Sequence, residues 1–518
     1  MHRKPPPSPP ISRLSRRRFM AGTAAAGITL LLPRSARSSS HPWGELHAEA
    51  WPGSGGDALP AADGVTTGYK ILEIFAYGGL SPWETFYVDD DAWRGLRDDF
   101  EDLRGACADG VPETQAFGGE ESVAGLGWPT SPLWYRDGSS STTLLNRMRV
   151  VVLRHDLLPH EAAIPLNLTG LTLGNPRLAG SAAVVGKRTL AVSGDTFPAS
   201  CVLMPTGLTV EDNFAAASAV GQLGASAAPL VLSVGPGGSS LLTKLARGGD
   251  TDRSERRDQL AAAYAEAYAS RLSVGDERLR SSNFGQYEVL RNQLRSAPGL
   301  RTMLAGTSLA PPGAGGVCTG PGLTEDLADH SQAAISSATY LLRQPAGPRY
   351  VGVVERGYRD FLGAGYDSHS SNAQAVGVDF RRMLEVLVGE IDSGNLDLDD
   401  TLVVLSTEFG RTPGPGRNPS GRDHHPYGYV SVLLGGPIGR LDPSQKYVGS
   451  IGGDGRALAD DSYVPADLRA ALYMAAGINP LQPSEVLSIG DLSAVARGGG
   501  RTDEEVQQNI ARTFFGIG

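Results

Sequence analysis

Seven short runs of nearly unbroken apolar residues, each closed off by Gly, Pro or Asp, constrain this chain more than any other feature. They fall at 70–76, 149–153, 200–204, 230–234, 350–354, 401–406 and 430–434. Runs of that length without polar alternation are what strands show when both faces of their sheet are covered. Helical patterns lie between and after them. The segments 253–272 and 283–294 read as helices, as do 330–342 and 466–476, the last opened by Pro465. The 372–391 segment carries Val376, Phe380, Met383, Leu384 and Leu387 on one helical face. Alternating strands and helices predict an α/β fold: a mostly parallel central sheet with helices on both faces. With 41 % hydrophobic and 20 % charged residues among 518, the chain has ample material for a core, which excludes wholesale disorder. Gly 67 and Pro 35 forecast long irregular loops, among them 300–323. No internal repeat, P-loop or dinucleotide-binding glycine motif is present. One large domain is expected over 68–518, with insertions around 175–330.

The first fifty residues read as an address. Ser15-Arg16-Arg17-Arg18-Phe19-Met20 has the form of a twin-arginine export signal, and residues 21–32 form a mild apolar run after it. Twelve residues fall short of the roughly 20 that a membrane span needs, and no later segment approaches that length. The expectation is a protein exported by the twin-arginine translocation machinery to the periplasm or beyond, with no stable membrane span. Cleavage after Ala48-Glu49-Ala50 removes eight basic and two acidic residues, taking the formal charge from −10 to −16. Residues 51–67 then form a Gly/Ala/Pro linker. An acidic mature chain argues against nucleic acid as a partner, because phosphate neutralisation needs clustered Lys and Arg. Cys107, Cys201 and Cys318 are too few and too scattered for a thiolate metal site or a disulfide framework.

Histidine placement carries the chemistry. Outside the N-terminal segment, His155, His160, His369, His424 and His425 all fall in short polar stretches read as loops after strands, whereas His330 lies in a helix, where it packs or caps. The carboxyl ends of strands are where open α/β sheets bind ligands. Tyr366-Asp367-Ser368-His369 and Arg422-Asp423-His424-His425 each pair a carboxylate with an imidazole, and Glu408 directly follows the 401–406 strand with Arg411 behind it. Taken alone, an Asp-x-His loop more often forms only local hydrogen bonds. Three such clusters after strands point to one crevice holding one divalent cation, or two where the two Asp/His clusters bind one each: Zn²⁺ or Mn²⁺ where imidazoles dominate, Mg²⁺ or Ca²⁺ where carboxylates do.

Several segments together resemble a known family: Gly78-Gly-Leu-Ser-Pro-Trp-Glu-Thr85, the stretch from His160 to Gly170, Asp367-Ser-His-Ser-Ser-Asn372, Thr401 to Pro413, Gly421 to His424 and Val464 to Leu468. They are similar to the DUF1501 proteins, exported bacterial relatives of the alkaline phosphatase and sulfatase superfamily. The resemblance implies an alkaline-phosphatase-like sandwich with metal ligands at the carboxyl edge of the sheet. It makes Asp367, His369, Glu408, Asp423 and His424 metal ligands, with Glu84 and His160 as further ones. Ser81 or Thr85 becomes the nucleophile, and Arg411 the group that holds an oxyanion. It departs from the superfamily in two places: Gly78-Gly79 stands where a first-strand Asp is usual, and Phe409 stands where a second imidazole is usual. Two readings follow: a metal-dependent hydrolase of small anionic phosphate or sulfate esters, or a non-catalytic exported binding or assembly protein on the same fold.

Overall fold

A computed structural model describes residues 68–86, 147–172, 180–186, 200–205, 229–234, 303–307, 330–355, 365–369, 380–413, 422–438, 441, 447–481 and 489–517, excepting 84, 346 and 368, with scattered positions in 256–267. The export segment, the linker, Glu84, and the helix expected at 283–294 lie outside the described residues.

Ten strands are described: β1 Lys70–Ala76, β2 Met148–Leu153, β3 Ser200–Pro205, β4 Leu230–Val234, β5 Tyr350–Glu355, β6 Thr401–Thr407, β7 Gly410–Arg411, β8 His424–His425, β9 Tyr429–Gly435 and β10 Tyr447–Val448. Every apolar run read as a strand is one, to within a residue at each end. Eight strands form one sheet in the order β10-β2-β9-β6-β1-β5-β3-β4, and β7 pairs with β8 apart from it. All neighbours in the large sheet are parallel except β9, which runs against both β2 and β6. The fold is therefore the expected α/β class with a mostly parallel sheet.

Among the described residues, the helices include α1 His160–Thr169, α2 His330–Arg343, α3 Arg381–Asp392, α4 Pro465–Ala475, α5 Ala494–Arg497 and α6 Asp503–Phe515. Strand alternation sends Leu72, Ile74 and Ala76 of β1 to one face, where Ile335, Ala338 and Leu341 of α2 and Met383, Leu384 and Leu387 of α3 cover them. Ile71 and Phe75 face the other way, toward Leu168 of α1, Leu468 and Leu472 of α4, and Phe514 of α6. Each such side chain withdrawn from water contributes about 1.5–3 kcal/mol, which is why a sheet with two apolar faces recruits helices on both sides.

Helix α1 corrects a sequence reading. His160 opens a helix instead of sitting in a loop, with Pro159 before it and Pro165 inside it. Proline in the interior hid the helical pattern. The pair His424–His425 likewise forms a short strand against Gly410–Arg411. Helix α6 also went unread, although Thr502 and Glu505 at its start make a reciprocal capping box.

A buried ion pair lies within the core. Glu73 shares the β1 face of Ile71 and Phe75, fully buried. Arg469 of α4 donates to both its oxygens at 2.7 and 2.6 Å, and Tyr350 and Ser406 on the neighbouring strands donate to it as well. Burial works against its ionised form, but the Arg469 charge and these bonds outweigh that and hold its pKa below the usual value.

Candidate metal centre

The connections leaving the carboxyl ends of β1, β2, β5 and β6 meet at one edge of the sheet, and the reversed direction of β9 brings β8, just ahead of it, to that same edge. Loop 78–86 follows β1, α1 follows β2, a 3-10 turn at Gly365–Asp367 follows β5, and Glu408 follows β6. Two glycines let the β1 loop pass. Gly78 and Gly79 adopt φ of +116° and +89°, which side chains disfavour, and a Cβ on Gly79 would lie 2.6 Å from the Phe409 ring.

Asp367 is the hub. Its Oδ1 lies 2.9 Å from His160 Nε2, 3.0 Å from His424 Nε2 and 3.1 Å from Arg411 Nη2. Ligand atoms of His160, Asp367 and His424 all fall within 4.8 Å of one another, the spacing of a metal-binding group. His369 and Asp423 stand at the rim: His369 Nδ1 is 2.8 Å from Asp423 Oδ1, and its Nε2 is 3.9 Å from Asp367. Phe409 packs against both imidazoles, its ring centroid 4.3 Å from His424 and 4.9 Å from His160.

The charges follow from this crowding. Burial lowers the basicity of His160, but the Asp367 and Glu408 carboxylates outweigh it and push its pKa up to about 9. Burial raises Asp367, yet His160, His424 and Arg411 together hold it far below the ordinary carboxylate range. His424 moves the other way from His160, lowered first by burial and then by the Arg411 and His160 charges. The proton in this cluster thus resides on His160.

Arg411 is fully buried, and each of its guanidinium nitrogens is committed. Nε donates to the Gly79 carbonyl, Nη1 to that of Arg422, and Nη2 to Gly78, Tyr366 and Asp367. Holding an oxyanion, the role expected of it, needs donors turned toward a ligand; this guanidinium spends its donors on the loops around Asp367. Ser81 is buried with a hydroxyl that has no hydrogen-bond partner, whereas the Thr85 hydroxyl donates to the Ser81 carbonyl at 2.6 Å. Glu408 lies directly behind His160, fully buried.

Sequence reasoning assigned no role to three residues around Glu408. His155 and Asn167 both donate to the Glu408 carbonyl at 2.6 Å, and Tyr429 donates to Asn167 Oδ1 at 2.6 Å. His155 carried a signal, its place after β2. Asn167 and Tyr429 carried none, since one is a lone amide in a helix and the other opens a buried strand.

Two observations show that the residues fit a metal ion. The donor set is two imidazoles and one carboxylate, which suits Zn²⁺ or Mn²⁺ better than Mg²⁺ or Ca²⁺. His160 Nε2 and His424 Nε2 lie 2.9 and 3.0 Å from the same Asp367 oxygen, so the three ligand atoms share one small space.

Fold and site together define an α/β protein whose imidazoles and carboxylates converge at the carboxyl edge of a mostly parallel sheet. Residues 71–484 match the family described as "Protein of unknown function (DUF1501)", and the chain belongs to that family. Comparison with curated proteins gives no match. Among solved structures, the chain is similar to alkaline phosphatase from the Antarctic bacterium TAB5, at 10 % identity, covering 80 % of this chain and 99 % of that one, with a TM-score of 0.33.

Proposed function

We propose that this protein is an exported, metal-dependent hydrolase of phosphate or sulfate esters. The observation that carries the reading is the convergence of His160, Asp367 and His424 ligand atoms within 4.8 Å at the carboxyl edge of the sheet. In it these three side chains hold one divalent ion. Such an ion supplies positive charge to the oxygens of a bound ester. Arg411 acts as a strut that keeps Asp367 in place, since its donors are already directed inward. Ser81 is the nucleophile in preference to Thr85, because its hydroxyl is the one without a hydrogen-bond partner. His369 and Asp423 form the rim through which substrate enters. The twin-arginine segment Ser15–Met20 directs export, and among the described residues no helix is long and apolar enough to cross a membrane.

Metal analysis of the purified protein, followed by p-nitrophenyl phosphate and p-nitrophenyl sulfate assays, tests this. The expected result is one divalent ion per chain and ester hydrolysis that Asp367→Asn and Ser81→Ala each abolish. A second reading, a binding or assembly protein that keeps the metal without turnover, draws on Phe409 and Arg411: one replaces a ligand with an apolar ring, and the other offers no donor to an oxyanion. Metal bound with no hydrolysis of either ester favours that reading. Absence of metal overturns the hydrolase reading.

A further inference from the structure

Glu408 is held at both ends. At the backbone, Leu157 N–H donates to His155 Nδ1, so His155 carries its proton on Nε2 and donates it to the Glu408 carbonyl. Tyr429 binds Asn167 Oδ1 and thereby turns the amide nitrogen toward the same carbonyl. At the side chain, Oε1 accepts from Gly78 N–H at 2.7 Å and from His160 Nδ1 at 2.8 Å, while Oε2 lies 3.1 Å from the Thr407 hydroxyl. The residue is fully buried, and among the described residues it stands outside the group of converging ligand atoms. A carboxylate acting as a ligand needs an oxygen turned to the ion; Oε1 is already held by two donors, and Oε2 faces the Thr407 hydroxyl, which also donates to the Ala76 carbonyl at 2.8 Å. What Glu408 does control is the ring in front of it. With Nδ1–H bound to Glu408, His160 presents Nε2 to Asp367 and His424.

We infer that Glu408 is a positioning residue that acts through His160, orienting the imidazole and keeping its proton on Nδ1, and that it is not itself a metal ligand. The inference rests on the metal reading above and gives Glu408 a different part from the ligand role expected of it. Metal-binding imidazoles commonly lean on a carboxylate in this way, and loss of such a partner lowers metal affinity about 10–100-fold.

The test compares wild type, Glu408→Ala, Glu408→Gln and Asp367→Asn as folded full-length chains, with Zn²⁺ alone as the probe in competition with a chromophoric chelator. Expected is one Zn²⁺ per chain in wild type and in both Glu408 variants. Affinity should fall about 10–100-fold in Glu408→Ala and less in Glu408→Gln, which keeps an acceptor for Nδ1–H, whereas Asp367→Asn loses binding outright. A second readout is the nitrogen-15 spectrum of His160: its Nδ1–H exchanges slowly in wild type and fast in Glu408→Ala. Loss of Zn²⁺ from Glu408→Gln to the extent seen in Asp367→Asn makes Glu408 a ligand and overturns the inference, as does unchanged affinity in Glu408→Ala. If wild type binds no Zn²⁺, the metal reading falls instead, and the Nδ1–H signal of the metal-free protein still decides whether Glu408 holds the ring.

Discussion

Glu73 and Asp367 both gather basic side chains from distant parts of the chain, yet one arrangement is closed and the other open. Glu73 sits mid-strand, out of reach of water, and its charge is met by one guanidinium, with Tyr350 and Ser406 completing its bonds. Asp367 sits on a turn at the sheet edge with its side chain 25 % exposed, and nitrogens of His160, His424 and Arg411 crowd one of its oxygens. The contrast teaches that an ion pair by itself does not mark a functional site. Convergence at an accessible edge marks it: two imidazoles and a guanidinium from distant segments crowd one partly exposed carboxylate oxygen, and their ligand atoms share the spacing of a metal-binding group.

Removing one partner from the closed centre should have the largest effect. Arg469→Met alone leaves the Glu73 carboxylate buried without its cation and is expected to cost about 3–5 kcal/mol, read from the urea unfolding midpoint. The double variant Glu73→Leu/Arg469→Met should recover most of that loss. A single variant as stable as wild type would show that the centre is not closed. The open centre should respond in the opposite way. Asp367→Asn is expected to lower metal affinity beyond the roughly 10–100-fold of an outer-shell change while costing the metal-free protein less than Arg469→Met does, since Asp367 is partly exposed and Arg411 keeps its backbone acceptors. A stability loss as large as that of Arg469→Met would erase the distinction.

Acidity probes the open centre more gently. Because folding raises the His160 pKa from 6.5 to about 9, the metal-free folded state is favoured when this ring is charged. That stabilisation is complete below pH 6.5 and is lost as pH rises through about 9. It amounts to about 3 kcal/mol at most. Thermal melts of the metal-free protein should show this decline, and His160→Gln should flatten it. Metal affinity should rise over the same interval, since the proton on Nε2 must leave before an ion binds there. The smallest effect belongs to the support behind the site. Tyr429→Phe removes the donor to Asn167 Oδ1 and should cost about 1 kcal/mol by urea unfolding, with metal stoichiometry intact.

The strands were legible because the signal for a strand covered on both faces is local. Residues 70–76 and 401–406 announce burial by composition alone, and the tertiary structure moves their ends by a residue at most. Helix α1 was not legible, because Pro159 and Pro165 read as breakers and its helicity depends on packing against α4. Of the site, the clusters at Asp367, Glu408 and His424 were visible as carboxylate–imidazole pairs after strands. Their division of labour was not. Nothing in the order Thr407-Glu408-Phe409-Gly410-Arg411 says that Glu408 turns back toward His160 or that Arg411 turns inward.

The amino-acid order by itself determined the α/β class, the covered sheet, the family and which polar stretches could bear chemistry, since periodicity and residue type act over a few neighbours. Only the tertiary structure decided which of those groups meet. Glu73 and Arg469 are 396 residues apart in sequence and His160 and Glu408 are 248 apart, and both pairs form only because sheet order and the reversed β9 bring these segments together. Strand order is a long-range outcome of packing, so the roles that depend on it (closed pair, open hub, positioning carboxylate) have no local trace in the chain.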